Sequence, residues 1–382
     1  MTSSNRYAEW LSKLVQIPSV NPTQVGPHSG PPGEAAIAAQ LVNWFQQFGA
    51  KVYTENVHPN RPNVYGVWSG QRDRWIAIDV HTDTVGVEQM DEDRFSGRIA
   101  DGRVYGRGAV DTKASLGVIL ALLESMHEQG VTPQANIVVA ATADEENGAQ
   151  SAPIFARWLQ KQNIPLSQLI IAEPTLCCPV YGHKGGIRFE FTVSGQASHS
   201  STPHLGQNAV TAAARLILAL EAEDERIQAL PPHPELGTST MTVTIIHGGT
   251  GSNVVPDSCS VYAGWRSIPG DDVAEITARI QALAEQSCPL PVATKVLGSV
   301  EPFYQSPDTD WLRQLAEWSG QTPTIEPYAT NAWAHSGKPY ECVVLGPGSI
   351  EQAHRETGWV DIAELDKLAK IYARWWGIPH NA

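Results

Sequence analysis

The pattern of hydrophobic positions divides the chain into an outer and a middle region. In the outer region, short continuous apolar runs alternate with apolar positions at helical spacing, which predicts buried strands alternating with amphipathic helices. The predicted strands are 75–80, 136–141, 169–171 and 343–345, and the predicted helices are 37–48, 116–126 and 362–376. Strands and helices in this alternation are typical of the α/β fold class.

The middle region alternates apolar and polar residues with period two, as strands with one solvated face do. Its predicted strands are 188–193, 240–246 and 260–265, and its predicted helices are 208–223 and 273–286. This β-α-β-β-α order predicts a small α+β domain inserted into the α/β domain. Glycines from Gly182 mark the entry and prolines from Pro289 mark the exit. We therefore expect a main domain at 1–180 and 301–382 and an inserted domain at 181–300.

Composition narrows the possible functions. The chain has 382 residues, 42% hydrophobic and 17% charged, which is ordinary for a protein of two domains with full cores. It carries 26 basic and 40 acidic residues, and the net charge of −14 argues against a nucleic-acid partner. We find no signal-peptide pattern and no apolar run long enough to span a membrane. The five cysteines match no disulfide or zinc framework and favour free thiols in the cytoplasm.

Polar residues of metal-ligand type follow the predicted strands of the outer region. In chain order these residues are His81, Asp83, Asp111, Glu145, Glu146, Glu173 and His354. The functional crevice of an open α/β sheet lies at the carboxyl ends of its strands, so the pattern places them along one edge. A cluster of carboxylates with few counter-charges repels itself, and divalent cations relieve that repulsion. Histidine and carboxylate ligands without a thiolate suit zinc, with cobalt or manganese as alternatives.

Each of these residues also has an ordinary structural interpretation. A single histidine such as His81 is more often a satisfied structural side chain, and Asp111 could cap the helix that follows it. Glu145 could form a solvated acidic pair with its neighbour, and Glu173 and His354 could be loop residues. Their joint occurrence after successive strands is what favours a metal site.

Seven short motifs occur in order along nearly the whole chain. They are His81-Thr82-Asp83-Thr84-Val85, Gly106–Lys113 (GRGAVDTK), Asp144-Glu145-Glu146, Ala172-Glu173-Pro174-Thr175, Ala197–Ser201 with Gly206–Ala209, Gly248-Gly249, and Gly346–Ser349 with Ala353-His354. In this order they resemble the aminoacylase and carboxypeptidase family of co-catalytic zinc enzymes, which includes acetylornithine deacetylase, succinyl-diaminopimelate desuccinylase and glutamate carboxypeptidase. The last motif is most similar to the acetylornithine deacetylase branch. The resemblance implies a mixed central sheet flanked by helices, with an inserted lid and dimerisation domain.

The resemblance also assigns the metal ligands. Asp111 would bridge two divalent metal ions, zinc in the first place and cobalt or manganese as alternatives. His81 and Glu173 would complete the coordination of one ion. Glu146 and His354 would complete that of the other.

Five further residues would serve the reaction. Asp83 would fix the tautomer of a ligating histidine, and Glu145 would act as the general base. His199 matches the family's lid-domain histidine, which stabilises the oxyanion in its own or the partner's subunit. Arg266 matches the carboxylate-binding arginine, and Asn253 is a further candidate for the same pocket. The substrate would be an N-acyl amino acid or a short peptide, and the enzyme a homodimer joined through the inserted domain.

Two positions depart from the family pattern. Asn331 stands where the deacetylases carry an acidic residue, which weakens the expectation of a basic substrate side chain, and Gly358 stands where a glutamate is common. Every proposed ligand and the base are present, which favours an enzyme over a binding protein without catalysis. A carboxypeptidase or dipeptidase of the same mechanism is the alternative to a deacylase. A dinucleotide-binding dehydrogenase is excluded because no Gly-x-Gly-x-x-Gly follows the first strand.

Overall fold

The computed structural model describes residues 3–90 and 94–379. The chain forms two compact units. The first takes its described residues from Met1–Tyr181, Gln305–Thr324 and Thr330–Ala382, and the second consists of Gly182–Tyr304 and Ile325–Ala329. Within the described residues, no helix is both long and apolar enough to cross a membrane.

The helices and strands are numbered in chain order. The α-helices are α1 (Ser3–Val15), α2 (Ala35–Gln47), α3 (Lys113–Gln129), α4 (Ser151–Lys161), α5 (Ala209–Gln228), α6 (Val273–Ser287), α7 (Asp310–Ser319) and α8 (Ile362–Trp376). The strands are β1 (Lys51–His58), β2 (Arg61–Trp68), β3 (Trp75–His81), β4 (Ile99–Ala100), β5 (Arg103–Tyr105), β6 (Asn136–Thr142), β7 (Leu166–Ile171), β8 (Val180–His183), β9 (Gly186–Ser194), β10 (Ser198–His199), β11 (Thr240–Gly248), β12 (Val254–Val255), β13 (Ser258–Arg266), β14 (Val292–Val300), β15 (Phe303–Tyr304), β16 (Thr324–Glu326), β17 (Glu341–Val344) and β18 (Trp359–Asp361).

The central sheet of the first unit is mixed. Its order is β1-β2-β6-β3-β7-β17, followed by Val180 of β8, which pairs with Val344. β3 pairs in parallel with β6 and β7, and β7 pairs in parallel with β17. β1 and β2 pair antiparallel with each other, and β2 pairs antiparallel with β6. The prediction of an α/β fold with a mixed central sheet is confirmed.

Burial on both faces explains why the inner strands have continuous apolar sequences. Every residue of β3 after Trp75 is buried, and so is every residue of β6 after Asn136. α3 is buried without interruption from Lys113 to Leu123, and it packs against α1 and α8. It ends at Gly130, whose φ of 63° lies in the left-handed region that favours glycine after a helix.

The second unit contains an antiparallel sheet and two helices. The sheet order is β11-β13-β9-β14. β9 and β13 alternate between buried and more exposed residues, and the buried ones share a core with α5 and α6. The side chains of Asn208 and Asp272 accept backbone N–H groups at the starts of these helices. β14 was not predicted because no residue of it is fully buried, so it has no clear hydrophobic pattern.

β11 forms one edge of the second unit's sheet. Its side chains Ile245 and Ile246 are 45% and 48% exposed, and Leu218 of α5 is 64% exposed. An edge strand offers backbone hydrogen-bonding groups, and apolar side chains beside it add surface that favours pairing with another chain. This surface is therefore suited to protein association.

Candidate active site

Parallel strands bring the predicted residues to one edge of the central sheet. His81 is the last residue of β3 and pairs with Thr142 at the end of β6. Ile171 at the end of β7 pairs with Asp79 of β3 and with Val344 of β17. Because these strands run in the same direction, the loops that follow them meet at one edge of the sheet.

Two groups of side chains at this edge share Asp111. One group is His81, Asp111 and Glu173, the other is Asp111, Glu146 and His354, and the ligand atoms in each lie within 4.8 Å of one another. Nε2 of His81 is 3.0 Å from Oδ1 of Asp111, and Nε2 of His354 is 3.3 Å from Oδ2 of Asp111. One carboxylate thus faces both histidines, each through a different oxygen. The structure brings all five predicted ligands together.

A glycine-rich turn carries Asp111 to this position. Gly108 has a φ of 81°, and a Cβ there would lie 2.9 Å from Cγ2 of Thr84, so a larger residue does not fit without displacement. The hydroxyl of Thr112 donates to the backbone oxygen of His81 at 2.9 Å. This hydrogen bond holds the start of α3 against the end of β3, with Asp111 opposite His81.

Asp83 is fully buried and contacts both His81 and the turn that carries Glu145 and Glu146. Nδ1 of His81 lies 3.0 Å from the backbone oxygen of Asp83 and 3.5 Å from its Oδ1. A carbonyl oxygen only accepts, so Nδ1 carries the proton and Nε2 is the nitrogen that faces Asp111. The carboxylate of Asp83 also accepts the backbone N–H groups of Glu145 and Glu146 at 3.0 and 3.1 Å. Sequence reasoning predicted the contact with His81 but missed this second role.

The carboxylates of the site crowd one another. Burial, with Glu146 and other carboxylates nearby, raises the pKa of Glu145 to about 8. Burial and Asp111 raise the pKa of Glu146, and burial and Glu145 raise the pKa of Glu173 well above its ordinary value. Carboxylates this close do not all ionise without nearby positive charge.

The neighbouring lysine and arginine donate to backbone oxygens. Nζ of Lys113 donates to the oxygen of Ile17 at 2.8 Å, and burial lowers the pKa of Lys113 to about 7. Arg107 donates to the oxygens of Gly86 and Arg355, each at 3.2 Å. These two side chains therefore connect loops through backbone oxygens, and these hydrogen bonds do not go to the carboxylates of the site.

The two histidines of the site, His81 and His354, can offset the negative charge of these carboxylates by taking up protons. Hydrogen bonds to Asp111 and Glu146 raise the pKa of His354 to about 10. Burial opposes a charge on His81, yet hydrogen bonds to Asp111 and Asp83 raise the pKa of His81 well above its ordinary value. Divalent cations would replace these protons and take neutral imidazoles as ligands. A donor set of histidine and carboxylate, without thiolate, fits zinc, cobalt or manganese.

Gly358 lies where two loops come into close contact, which leaves no room for a side chain. The N–H of Gly106 donates to the oxygen of Gly358 at 2.9 Å. A Cβ at position 358 would lie 2.8 Å from the oxygen of Gly106, so a glutamate there would force these loops apart. His354 keeps its contacts with Asp111 and Glu146, so this departure from the family pattern leaves the ligand group intact.

Asn331 is buried against the sheet. Its Nδ2 donates to Oδ2 of Asp79 at 3.2 Å, and the hydroxyl of Thr142 donates to Oδ1 of Asp79 at 2.5 Å. Burial raises the pKa of Asp79 to about 6. An acidic residue at 331 would bring a second carboxylate against Asp79, so the amide suits this buried position. Asn331 thus belongs to the core of the first unit.

The remaining predicted residues, His199, Asn253 and Arg266, belong to the second unit and are exposed. His199 lies in β10, where it pairs with Val254 of β12, and its Nδ1 is 2.7 Å from the hydroxyl of Ser201. The backbone oxygen of Asn253 accepts the N–H of Ser200, so Asn253 and His199 share one small two-stranded element. Arg266 is the last residue of β13.

Comparison with known proteins places the chain in a family. Residues 181–290 match the M20 peptidase dimerisation domain, and residues 63–171 match peptidase family M28. The acetylornithine deacetylase of Myxococcus xanthus is 30% identical over 318 residues, which cover 80% of each protein. The chain belongs to the M20 family. The acetylornithine deacetylase of Erwinia tasmaniensis is 28% identical over 383 residues, covering 98% of this M20 chain and 97% of the relative.

Solved structures of the M20 family and its relatives share the fold. The M20 family metallo-carboxypeptidase of Sulfolobus solfataricus has a TM-score of 0.79 at 18% identity, covering 95% of this chain and 97% of that one. The dipeptidase Dug1p of Saccharomyces cerevisiae has a TM-score of 0.80 at 13% identity, covering 98% and 97%. Membership of the M20 family makes the protein a metal-dependent hydrolase of amide bonds, and confirms the prediction of an enzyme. The dimerisation domain indicates that this M20 enzyme forms oligomers.

Proposed function

We propose that this M20 enzyme hydrolyses the amide bond of N-acyl amino acids with two divalent metal ions, zinc in the first place. The observation that carries the proposal is the pair of ligand groups that share Asp111, with Glu145 beside them. His81, Asp111 and Glu173 would hold one ion, and Asp111, Glu146 and His354 the other. Two such ions, when bound, acidify a water molecule and polarise the substrate carbonyl.

Glu145 is the proposed general base. Its backbone N–H is fixed by Asp83 at 3.0 Å, and burial among carboxylates gives its side chain a high affinity for a proton. A base must accept the proton of the attacking water, and the same group then delivers that proton to the nitrogen of the leaving amine. Asp83 would act on the reaction through the tautomer of His81 and through the position of Glu145.

The second unit would supply the groups that bind the substrate. We assign His199 as the donor to the carbonyl oxygen on which negative charge develops. Arg266 would bind the α-carboxylate of the amino acid through its planar guanidinium, and Asn253 would assist in the same pocket. All three side chains are exposed, as groups that meet a substrate must be before it binds.

The enzyme would act as a homodimer joined through the second unit. We assign the contact to the edge strand β11, where Ile245 and Ile246 are exposed, together with the exposed Leu218 of α5, a helix that packs against β11. Pairing of β11 with its copy would satisfy the backbone groups of both edges and bury these apolar side chains.

The experiment is a substrate panel of N-acetylornithine, N-succinyl-diaminopimelate, N-acetylmethionine and a dipeptide, assayed for release of free amine. Protein loaded with zinc or cobalt is compared with protein treated with a chelator, and Glu145→Gln serves as the variant that lacks the base. We expect chelator-sensitive hydrolysis of an N-acyl amino acid, reduced roughly 10²- to 10⁴-fold in Glu145→Gln. Hydrolysis of the dipeptide alone would assign the enzyme to the peptidases of the family. No hydrolysis by protein that holds two metal ions would refute the proposal.

A further inference from the structure

Four buried polar side chains lie behind the turn that carries Glu145 and Glu146. We call them the anchor network, and they are Asn21, Glu34, Arg61 and Asp144. Arg61 is 9% exposed, and the other three are 3% exposed or less. Buried charges are costly unless they are paired and hydrogen-bonded, so a cluster of this kind requires a structural or functional reason.

Arg61 joins the two carboxylates of the anchor network. Its Nε and Nη2 donate to Oε2 and Oε1 of Glu34 at 2.6 and 2.8 Å, which is a bidentate pair. Its Nη1 lies 2.9 Å from Oδ1 of Asp144. A planar guanidinium holds three oxygens at fixed relative positions, which the single ammonium of a lysine does not do. Arg61 therefore fixes Asp144 relative to Glu34.

Asp144 is the residue at which the chain turns after β6. Its φ is 63°, a left-handed conformation that is uncommon for a residue with a side chain. Its backbone N–H donates to Oε1 of Glu34 at 3.1 Å, and Oδ2 of its carboxylate lies 2.9 Å from Nε2 of His58. Both the backbone and the side chain of Asp144 are thus held by partners, which stabilises the turn in this conformation.

Asn21 links the anchor network to Asp83. Its Nδ2 donates to Oδ2 of Asp83 at 2.9 Å and to Oδ1 of Asp144 at 3.3 Å. Asp83 in turn accepts the backbone N–H groups of Glu145 and Glu146. Three successive backbone N–H groups, from Asp144 to Glu146, therefore donate to buried carboxylates. With the backbone held at three points, the side chains of Glu145 and Glu146 leave the turn in fixed directions.

We propose that the anchor network positions Glu145 and Glu146, and that Arg61 is the residue on which this positioning depends. The inference rests on the proposed function in that Glu145 serves as the base and Glu146 as a metal ligand. Arg61, Glu34 and Asn21 are positioning residues, because they act through Asp144 and Asp83. Arg61 contacts Glu34 and Asp144, whereas the ligand Glu173 follows a different strand, β7, so loss of the guanidinium affects the group of Asp111, Glu146 and His354 more than the other group.

The test replaces the guanidinium while keeping its charge. Arg61→Lys is compared with Arg226→Lys, which breaks a bidentate pair of the same geometry with Glu223, at 2.7 and 2.8 Å, in the second unit. Metal-free protein is titrated with Co²⁺ in a calorimeter, and His354→Ala identifies the binding step that belongs to the second ligand group. In Arg61→Lys we expect the Co²⁺ affinity of that step to fall at least roughly tenfold, while the Co²⁺ affinity of the other step changes less than about threefold.

Activity gives the second measurement. We expect kcat of Arg61→Lys to fall at least roughly tenfold with KM within about threefold, because the base is misplaced while substrate contacts remain. Arg226→Lys should change neither the titration nor kcat. If Arg61→Lys does not fold, Glu34→Gln tests the same contacts by removing one carboxylate charge with little change of size. Equal weakening of both metal-binding steps, or no change in either step and in kcat, would overturn the proposal. Should the wild-type protein hydrolyse no amide, the proposed function fails, and the Co²⁺ titration alone decides the role of the anchor network.

Discussion

Replacing Asp83 by asparagine keeps its shape and removes one acceptor from the centre of the site. The buried carboxylate accepts N–H groups of Glu145 at 3.0 Å, Glu146 at 3.1 Å and Asn21 at 2.9 Å. An amide has one carbonyl oxygen, so its NH₂ group must face at least one of these donors. A hydrogen bond to a charged group contributes about 1.5–3 kcal/mol, which corresponds to a loss of roughly 10- to 150-fold in kcat/KM.

The assay is kcat/KM of Asp83→Asn for the preferred substrate of the panel, with the metal content of the same sample measured in parallel. Asp83→Ala should lose more activity, because all three donors then lack their partner. Asp361→Asn is the matched control, since Asp361 pairs with Arg103 at 2.9 Å at a site where both side chains are more than a third exposed. Activity of Asp83→Asn within about threefold of wild type, with both metals bound, would refute the positioning argument.

Three further outcomes follow from the structure. Burial lowers the pKa of His335 to about 3 from its ordinary 6.5, so below that ordinary value the unfolded chain takes up a proton that the folded chain does not. The contribution of His335 to stability should therefore fall by about 2 kcal/mol from pH 7.5 to pH 5. Urea unfolding of His335→Phe should show a smaller dependence on pH than that of the wild type, and an equal dependence would contradict this. Chelation should abolish amide hydrolysis and added zinc, cobalt or manganese should restore it, whereas turnover by protein shown to be metal-free would exclude the metal-dependent mechanism. Ile246→Lys on β11 should convert a dimer to a monomer in analytical ultracentrifugation while Val296→Lys on β14 does not, and a dimeric Ile246→Lys would assign the contact to another surface.

Hydrophobic patterning predicted several strands whose burial is regular. β3 and β6 are covered on both faces and have continuous apolar sequences, and β9 and β13 have one buried face and alternate. β1 and β14 were missed because their residues are half-buried or exposed, so side-chain polarity carries little information there. Pattern is therefore an incomplete guide to burial: β11 was predicted although only its Met241 is buried, and β2 was missed although six of its eight residues are buried.

The candidate ligands were accessible to sequence reasoning because His81, Glu146 and Glu173 lie at or soon after the ends of buried strands. Asp111 and His354 were assigned as ligands through the motifs that resemble a known family. The anchor network was not accessible to sequence reasoning, because Glu34 precedes α2 and Arg61 opens β2, and nothing in the spacing links them. A charged residue is usually exposed, so patterning assigns both to the surface, although Glu34 is fully buried. Only the three-dimensional structure shows that Glu34 and Arg61 pair with each other, which offsets the cost of burying their charges.

The order of the proposed ligands along the chain would make the two proposed metal positions form at different stages of synthesis. His81, Asp111 and Glu173 all precede the second unit, whereas His354 follows it and lies near the end of the chain. During synthesis, the group of His81, Asp111 and Glu173 is complete before the second unit has been made. The group that contains His354 is complete only after β17 has paired with β7. In the proposed two-metal site, the first ion would cross-link three loops of the nascent chain. The second ion would bind only after the chain has returned to the central sheet.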